Sequence, residues 1–162
     1  MRWIGSGLHS NVYQISDGLV LKKYKKRKQY NITKNIIQEL LKTLNNKEHI
    51  LLKNISFNDE DREVYMKLCD GYKNCYDIES FIEESYFFSI KDRINILSQI
   101  VDGMIELSGK GYIHGDLKLK NIFIQDYENS NFQIVIGDFD YVRKSNSLED
   151  VYKFRHLIRQ LF

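Results

Sequence analysis

The segment between residues 113 and 124 constrains this chain most. Ile113 on one side and Ile122-Phe123-Ile124 on the other are short apolar runs of the kind that bury as strands. Between them lies a polar loop, His114-Gly115-Asp116-Leu117-Lys118-Leu119-Lys120-Asn121. An Asp followed five residues later by Asn on such a loop suits two tasks at once. The carboxylate of Asp116 can take a proton from an attacking hydroxyl, and the amide oxygen of Asn121 can hold a metal beside it. Seventeen residues beyond Asn121 comes Asp138, in Ile136-Gly137-Asp138-Phe139-Asp140, at the end of another apolar run, Ile134-Val135-Ile136. A carboxylate there suits Mg2+, which favours hard oxygen ligands and takes few of them from the protein.

The rest of the chain separates strands from helices. Val12-Tyr13-Gln14-Ile15 and Leu19-Val20-Leu21 read as strands joined by the turn residues Ser16-Asp17-Gly18. The basic run Lys22, Lys23, Lys25, Lys26, Arg27 and Lys28 reads as a solvated face ahead of a helix, in which Ile36, Ile37, Leu40, Leu41 and Leu44 recur at helical spacing. Residues 50–55 and 64–68 read as further strands. Ser89-Ile90-Lys91-Asp92 opens a second helix with an acidic residue at its third position, and Ile90, Ile94, Leu97, Val101 and Met104 or Ile105 form its apolar face. Gly109 and Gly111 end it. Ser147-Leu148-Glu149-Asp150 opens a last helix through Phe162, with the apolar stripe Val151, Phe154, Leu157, Ile158 and Leu161. This order predicts an α+β protein of two lobes, about 1–69 and 75–162, with a hinge at about 69–74 where a ligand could sit.

Composition removes several function classes. No stretch approaches the roughly 20 apolar residues of a membrane helix, and the opening residues do not read as a secretory signal. A net charge of +2 argues against nucleic acid as the main partner. Cys69 and Cys75 lie six residues apart, which is not a zinc spacing, and read as thiols in a reducing, cytoplasmic setting. The chain has no Pro and no Ala but is rich in Ile, Lys, Asn, Tyr and Phe. That bias reads as an AT-rich genome, of a virus or an intracellular microbe, which would extend the setting to a host cytoplasm or nucleus.

Taken together, the 114–121 and 136–140 segments resemble the catalytic loop and metal motif of the protein kinase superfamily, with Gly115 where the family has Arg and Asp140 where it has Gly. The N-terminal half resembles the same family. Gly5-Ser6-Gly7-Leu8-His9-Ser10-Asn11-Val12 is similar to its glycine-rich phosphate loop, with Ser10 replacing the third Gly. Leu19-Val20-Leu21-Lys22 is similar to the strand that carries its phosphate-binding Lys. The resemblance implies a kinase-like fold, with a small β-rich N-lobe holding one helix and a truncated, mainly helical C-lobe. It implies that Lys22 contacts the α- and β-phosphates of ATP, with Glu39 orienting it, and that Val12 and Val20 pack on adenine while Lys67 and Cys69 meet it through main-chain groups. Lys23 replaces Lys22 if the register shifts by one, but strand alternation puts Val20 and Lys22 on one face. Asp116 would be the base, Lys118 would stabilise the transferring phosphoryl group, and Asn121 and Asp138 would bind Mg2+. Asp140 would add a contact near the metal, and His114 would pack rather than react. Asp150 would brace the catalytic loop.

Only nine residues, Tyr141 to Glu149, separate the metal motif from the last helix, where the family usually has a long activation segment. Gly115 also removes the Arg that reads a phosphorylated loop, so no activation-loop switch is expected. A truncated C-lobe should leave apolar surface on the last helix for a partner protein or a second copy. Lys118 favours a Ser/Thr protein kinase acting on a protein or on itself. The alternatives are a kinase-like binding module and a small-molecule kinase similar to the aminoglycoside phosphotransferases, which share the His-Gly-Asp sequence.

Overall fold

The computed structural model describes residues 1–16, 18–44, 48–50, 55–67, 69, 71, 76–128 and 131–162. The chain forms two compact units, Met1–Lys42 with Leu52–Leu68, and Thr43–Leu51 with Cys69–Phe162. The segment 43–51 groups with the second unit because the His49 carbonyl accepts from the Ile136 N–H (2.8 Å) and Ile50 bridges Ile136 in parallel.

The first unit is a five-stranded antiparallel sheet with one helix. Strands β1 (Arg2–Ser6), β2 (Ser10–Ser16), β3 (Leu19–Tyr24), β4 (Ser56–Asn58) and β5 (Glu63–Lys67) are ordered β1-β2-β3-β5-β4. The expected β2–β3 hairpin is present, with Gly18 at φ +77° beside its turn. The expected strand at 64–68 is β5, and 51–54 of the strand expected at 50–55 lie outside the described residues.

Helix α1 (Arg27–Thr43) starts well before the apolar spacing that marked it. It buries Tyr30, Thr33, Ile37 and Leu40, so its core stripe includes a Tyr and a Thr that apolar counting passes over. The basic run is therefore not one solvated face. Lys22 and Lys23 lie in β3, Lys25 and Lys26 form the connection, and Arg27 and Lys28 open the helix. Tyr24, Tyr30 and Val64 are the centre of a small core, with the two Tyr rings edge to face at 5.8 Å.

The second unit begins with α2 (Ile78–Glu83), capped by Asp77, whose side chain accepts from the Ser80 N–H at 2.9 Å. Helix α3 (Ile90–Ser108) opens on the expected box: Ser89 Oγ accepts from the Asp92 N–H (3.1 Å) and the Asp92 carboxylate accepts from the Ser89 N–H (3.0 Å). Gly109 is still right-handed, and the chain turns away at Gly111, φ +79°.

The apolar face expected on α3 is corrected. Ile90, Ile94 and Ile105 are exposed, and the buried stripe is Ile96, Gln99, Ile100, Gly103 and Leu107. The reason is chemical. The helix packs on the hairpin β7 (Ile122–Glu128) and β8 (Asn131–Ile136), where Gln99 bonds the β8 edge at Phe132 and Ile134 and Gly103 allows a close approach to Ile136 and the His49 carbonyl.

Two short strands, β6 (Tyr112–Ile113) and β9 (Arg143–Lys144), pair with each other. Helix α4 (Glu149–Leu161) closes the unit, burying Asp150, Leu157 and Leu161 while Val151 and Ile158 of the expected stripe are exposed. No helix among the described residues is long and apolar enough to cross a membrane.

Candidate active site

Each unit brings together part of the residue set read from the sequence. In the first unit, Gly5 and Ser6 end β1, Ser10 and Val12 start β2, and Gly7 lies in the turn between them. Gly7 N–H donates to the Ser10 carbonyl (2.8 Å), Ser6 Oγ donates to Asn11 Oδ1 (2.8 Å), and Lys25 Nζ donates to the Gly7 carbonyl (2.7 Å). The turn is thus tied to β3's end by a Lys that sequence reading treated only as part of a basic run.

Val20, Leu21 and Lys22 are all buried in β3. Lys22 pairs across β2 with Val12 and across β5 with Val64, and its ammonium lies 5.4 Å from the Tyr24 ring centroid. Lys23 points elsewhere, to Glu63 Oε1 at 2.9 Å, with 44% of its side chain exposed. That pairing pushes Glu63 below and Lys23 above their ordinary values. Glu39 is half-buried on α1. Lys67 ends β5 opposite Leu19, and Cys69 is buried. Of the expected hinge, only Cys69 and Gly71 are among the described residues, and Cys75 is not.

In the second unit, the loop after β6 folds on itself. Lys118 Nζ donates to Asp116 Oδ2 (2.7 Å), and Asn121 Nδ2 donates to the same oxygen (3.0 Å) and to the Asp116 carbonyl (2.8 Å). The Asp116 contact holds Lys118 above its ordinary value. The two N–H bonds of Asn121 turn its amide oxygen away from Asp116, so the Asn presents an oxygen donor. Asn121's carbonyl accepts from the Gly137 N–H (3.0 Å), which seats Asp138 one residue from that contact. Asp138 has a left-handed backbone, φ 63° and ψ 79°, a conformation that a non-Gly residue adopts at a cost.

His114 is wholly buried and joins these two segments. Its Nε2 lies 2.9 Å from the Gly137 carbonyl, so Nε2–H donates, and Nδ1 accepts from the Asp116 N–H at 3.3 Å. One donor and one acceptor is the pattern of a neutral imidazole, and burial pushes its titration below the usual value. Asp150, at the start of α4, accepts from the N–H groups of His114 (2.5 Å) and Gly115 (3.0 Å). Glu149, Lys153 and Arg143, which meet around Gly115, were not singled out in the sequence.

Among the described residues no three acidic, His or Cys side chains cluster to hold a metal by themselves. An amide oxygen and a carboxylate, Asn121 and Asp138, instead fit Mg2+ that draws its remaining ligands from phosphate and water.

A sequence model of the protein kinase domain matches residues 1–157. The chain belongs to the protein kinase family. A protein of Acanthamoeba polyphaga mimivirus named as a serine/threonine-protein kinase is 34% identical over 89 residues, covering 55% of this chain and 13% of that protein. Serine/threonine-protein kinase 33 of Mus musculus is 26% identical over 152 residues, covering 85% of this chain and 30% of its own. Cyclin-dependent kinase F-3 of Oryza sativa subsp. japonica is 27% identical over 154 residues, covering 91% and 34%. The chain thus spans about a third or less of the length of these relatives. With membership of the family, the α+β class, a β-rich first part with one helix and a mainly helical second part, agrees with the sequence expectation.

Proposed function

We propose that this protein kinase transfers the γ-phosphate of ATP, with Mg2+, to a Ser or Thr hydroxyl of a protein. The observation that carries the reading is the Asp116 carboxylate held by both Lys118 and Asn121, with Asp138 seated beside Asn121 through Gly137. A carboxylate fixed by two donors is aimed, and its other oxygen can accept a proton from a hydroxyl. Lys118, already beside that carboxylate, is a cation within reach of the group being transferred. Asn121 and Asp138 would hold Mg2+, which when bound neutralises phosphate charge. The backbone N–H groups of the Gly5–Ser10 turn would approach the phosphates, as its two glycines permit. Lys22 would bind the phosphates, with Glu39 orienting it, because Lys22 and not Lys23 is the cation buried in β3. Val12 and Val20 would pack on the adenine ring, and Lys67 and Cys69 would meet it through the main chain. The Ser/Thr preference rests on Lys118 and on the names of the mimivirus and mouse relatives.

The test is transfer from γ-labelled ATP with Mg2+ to the protein itself, to a histone and to a panel of small hydroxyl acceptors. Label on protein that is lost in Asp116→Asn and in Asp138→Asn supports the reading. Label only on a small molecule, or metal-dependent ATP binding without any transfer, overturns it in favour of a small-molecule kinase or a binding module respectively.

A further inference from the structure

Gly115 has a positive φ of 76°, and a Cβ placed on it would sit 2.5 Å from the Tyr141 carbonyl oxygen and press into the Arg143 guanidinium. A side chain at 115 is therefore excluded by backbone as well as by Arg143. Both polar groups of this glycine are taken by α4. Its N–H donates to Asp150 Oδ1 (3.0 Å), and its carbonyl accepts from Lys153 Nζ. That carbonyl belongs to the peptide bond linking Gly115 to Asp116. The N–H of the same peptide donates to His114 Nδ1 (3.3 Å). The plane that carries Asp116 is thus pinned at both ends, by Lys153 on one side and His114 on the other.

Lys153 is itself held. Its ammonium lies 2.7 Å from Glu149 Oε1, one helical turn earlier, and Glu149 Oε2 pairs with Arg143 Nη2. Arg143 Nη1 donates to the Tyr141 carbonyl at 3.2 Å. Glu149 therefore bridges two cations, one on β9 and one on α4. The contacts keep its carboxyl below the usual carboxylate range, with Lys153 the largest cause, so the bridge is charged at neutral pH.

We propose that Lys153 is a positioning residue for Asp116, anchored by Glu149, and that it sets the catalytic loop from α4 without any side chain at 115. This rests on the reading of Asp116 as the base. A charge-assisted bond to a backbone carbonyl is among the stronger single hydrogen bonds, and small misplacements of a reacting group are costly in rate.

The experiment compares Lys153→Met, Lys153→Arg and Glu149→Gln in transfer from ATP with Mg2+ to a histone. It also follows the backbone amide signals of Asp116 and, as a distant reference, Ile134 by NMR. Lys153→Met should lower kcat about tenfold or more while KM for ATP changes less than about twofold. Lys153→Arg, which keeps a donor and the charge, should recover most of that loss. Glu149→Gln removes only the anchor and should give the same split, at about threefold in kcat. The Asp116 amide should shift in Lys153→Met while that of Ile134 stays. If Lys153→Met does not fold, Glu149→Gln decides. An unchanged kcat in that variant, a loss confined to KM, or an Asp116 amide that does not move overturns the proposal. If the wild type transfers no phosphate, the reading of Asp116 as a base fails, and the amide shift still decides whether Lys153 fixes the loop.

Discussion

Gln99 bonds twice to the hairpin whose two ends lead to Asn121 and Asp138. Strand β8 pairs with β7 along one edge, and its other edge meets Ile50 at Ile136. On its other edge the Gln99 amide serves as a substitute strand: Nε2 donates to the Phe132 carbonyl (2.7 Å) and Oε1 accepts from the Ile134 N–H (2.9 Å). Gln99 is only 6% exposed and Ile134 1%, so neither group can turn to water. Replacing Gln99 by Met keeps the side-chain length and removes both bonds. The two losses are unequal, because Asn95 Nδ2 also donates to the Phe132 carbonyl at 2.9 Å and remains after the change. The Ile134 N–H is then orphaned in the core, at a cost of about 1–3 kcal/mol, and the lost bond to Phe132 adds about 0.5–1 kcal/mol. Gln99→Met should therefore cost about 1.5–4 kcal/mol, and Asn95→Ala, which leaves the Phe132 carbonyl bonded to Gln99, about 1 kcal/mol or less. Urea unfolding with an unchanged slope measures both. A Gln99→Met loss below about 1 kcal/mol, or a larger loss for Asn95→Ala, would refute the reasoning that the orphaned N–H dominates.

Other expectations follow from single positions. Gly103→Ala gains about 0.8–1 kcal/mol of helix propensity, but the new Cβ meets Ile136 Cδ1 at 2.8 Å and the His49 carbonyl oxygen at 3.2 Å. The Ile tip can move and the backbone cannot, so overpacking of about 1–3 kcal/mol should win and the Tm should fall; a higher Tm would reverse that ranking. Gly115→Ala should destabilise by at least about 1 kcal/mol, since it combines a left-handed backbone with a clash on Tyr141. Gly5→Ala meets nothing within 4 Å and should change stability by less than about 0.5 kcal/mol. His114 is neutral when folded because burial lowers its titration below the ordinary 6.5. The unfolded chain then binds the extra proton, so this contribution is complete above the unfolded value and is lost as pH falls below it. Between pH 7 and 5 the wild type should lose stability more steeply than His114→Gln, by at most about 1.4 kcal/mol per pH unit, and parallel curves would exclude the effect.

The sequence showed the elements whose signals are local and misplaced those whose partners are distant. The Ser89–Asp92 box spans three residues and is found where it was read. The β2–β3 hairpin is set by alternation and a turn, and it too is present. The face of α3 was misread because the helix carries two candidate stripes. The one read from the sequence exposes Ile90, Ile94 and Ile105 and only half-buries Leu97, Val101 and Met104. The one that packs uses Gln99 for its hydrogen bonds and Gly103 for its lack of a side chain, and neither counts as apolar in a periodicity argument. Helix α1 shows the same blind spot at its start, where Tyr30 and Thr33 carry the buried face and Tyr30 Oη donates to Asp59 (2.7 Å).

The same division runs through the candidate site. Asp116, Lys118 and Asn121 lie on one short loop that brings them into mutual contact; residue type with spacing picked out Asp116 and Asn121, and the resemblance to the kinase catalytic loop picked out Lys118. What holds that loop comes from 35 to 38 residues further along, as Asp150 and Lys153. From the sequence, Gly115 reads as a loss, an Arg missing from a familiar motif. In the structure it is a requirement, since Tyr141 and Arg143 fill the space a side chain would need and α4 bonds both its N–H and its carbonyl. A substitution that looks like decay in one segment is thus matched by two charged residues in another. Lys153 and Glu149 are one helical turn apart, an ordinary surface pair by spacing, and only the fold turns their charges toward the peptide that carries Asp116.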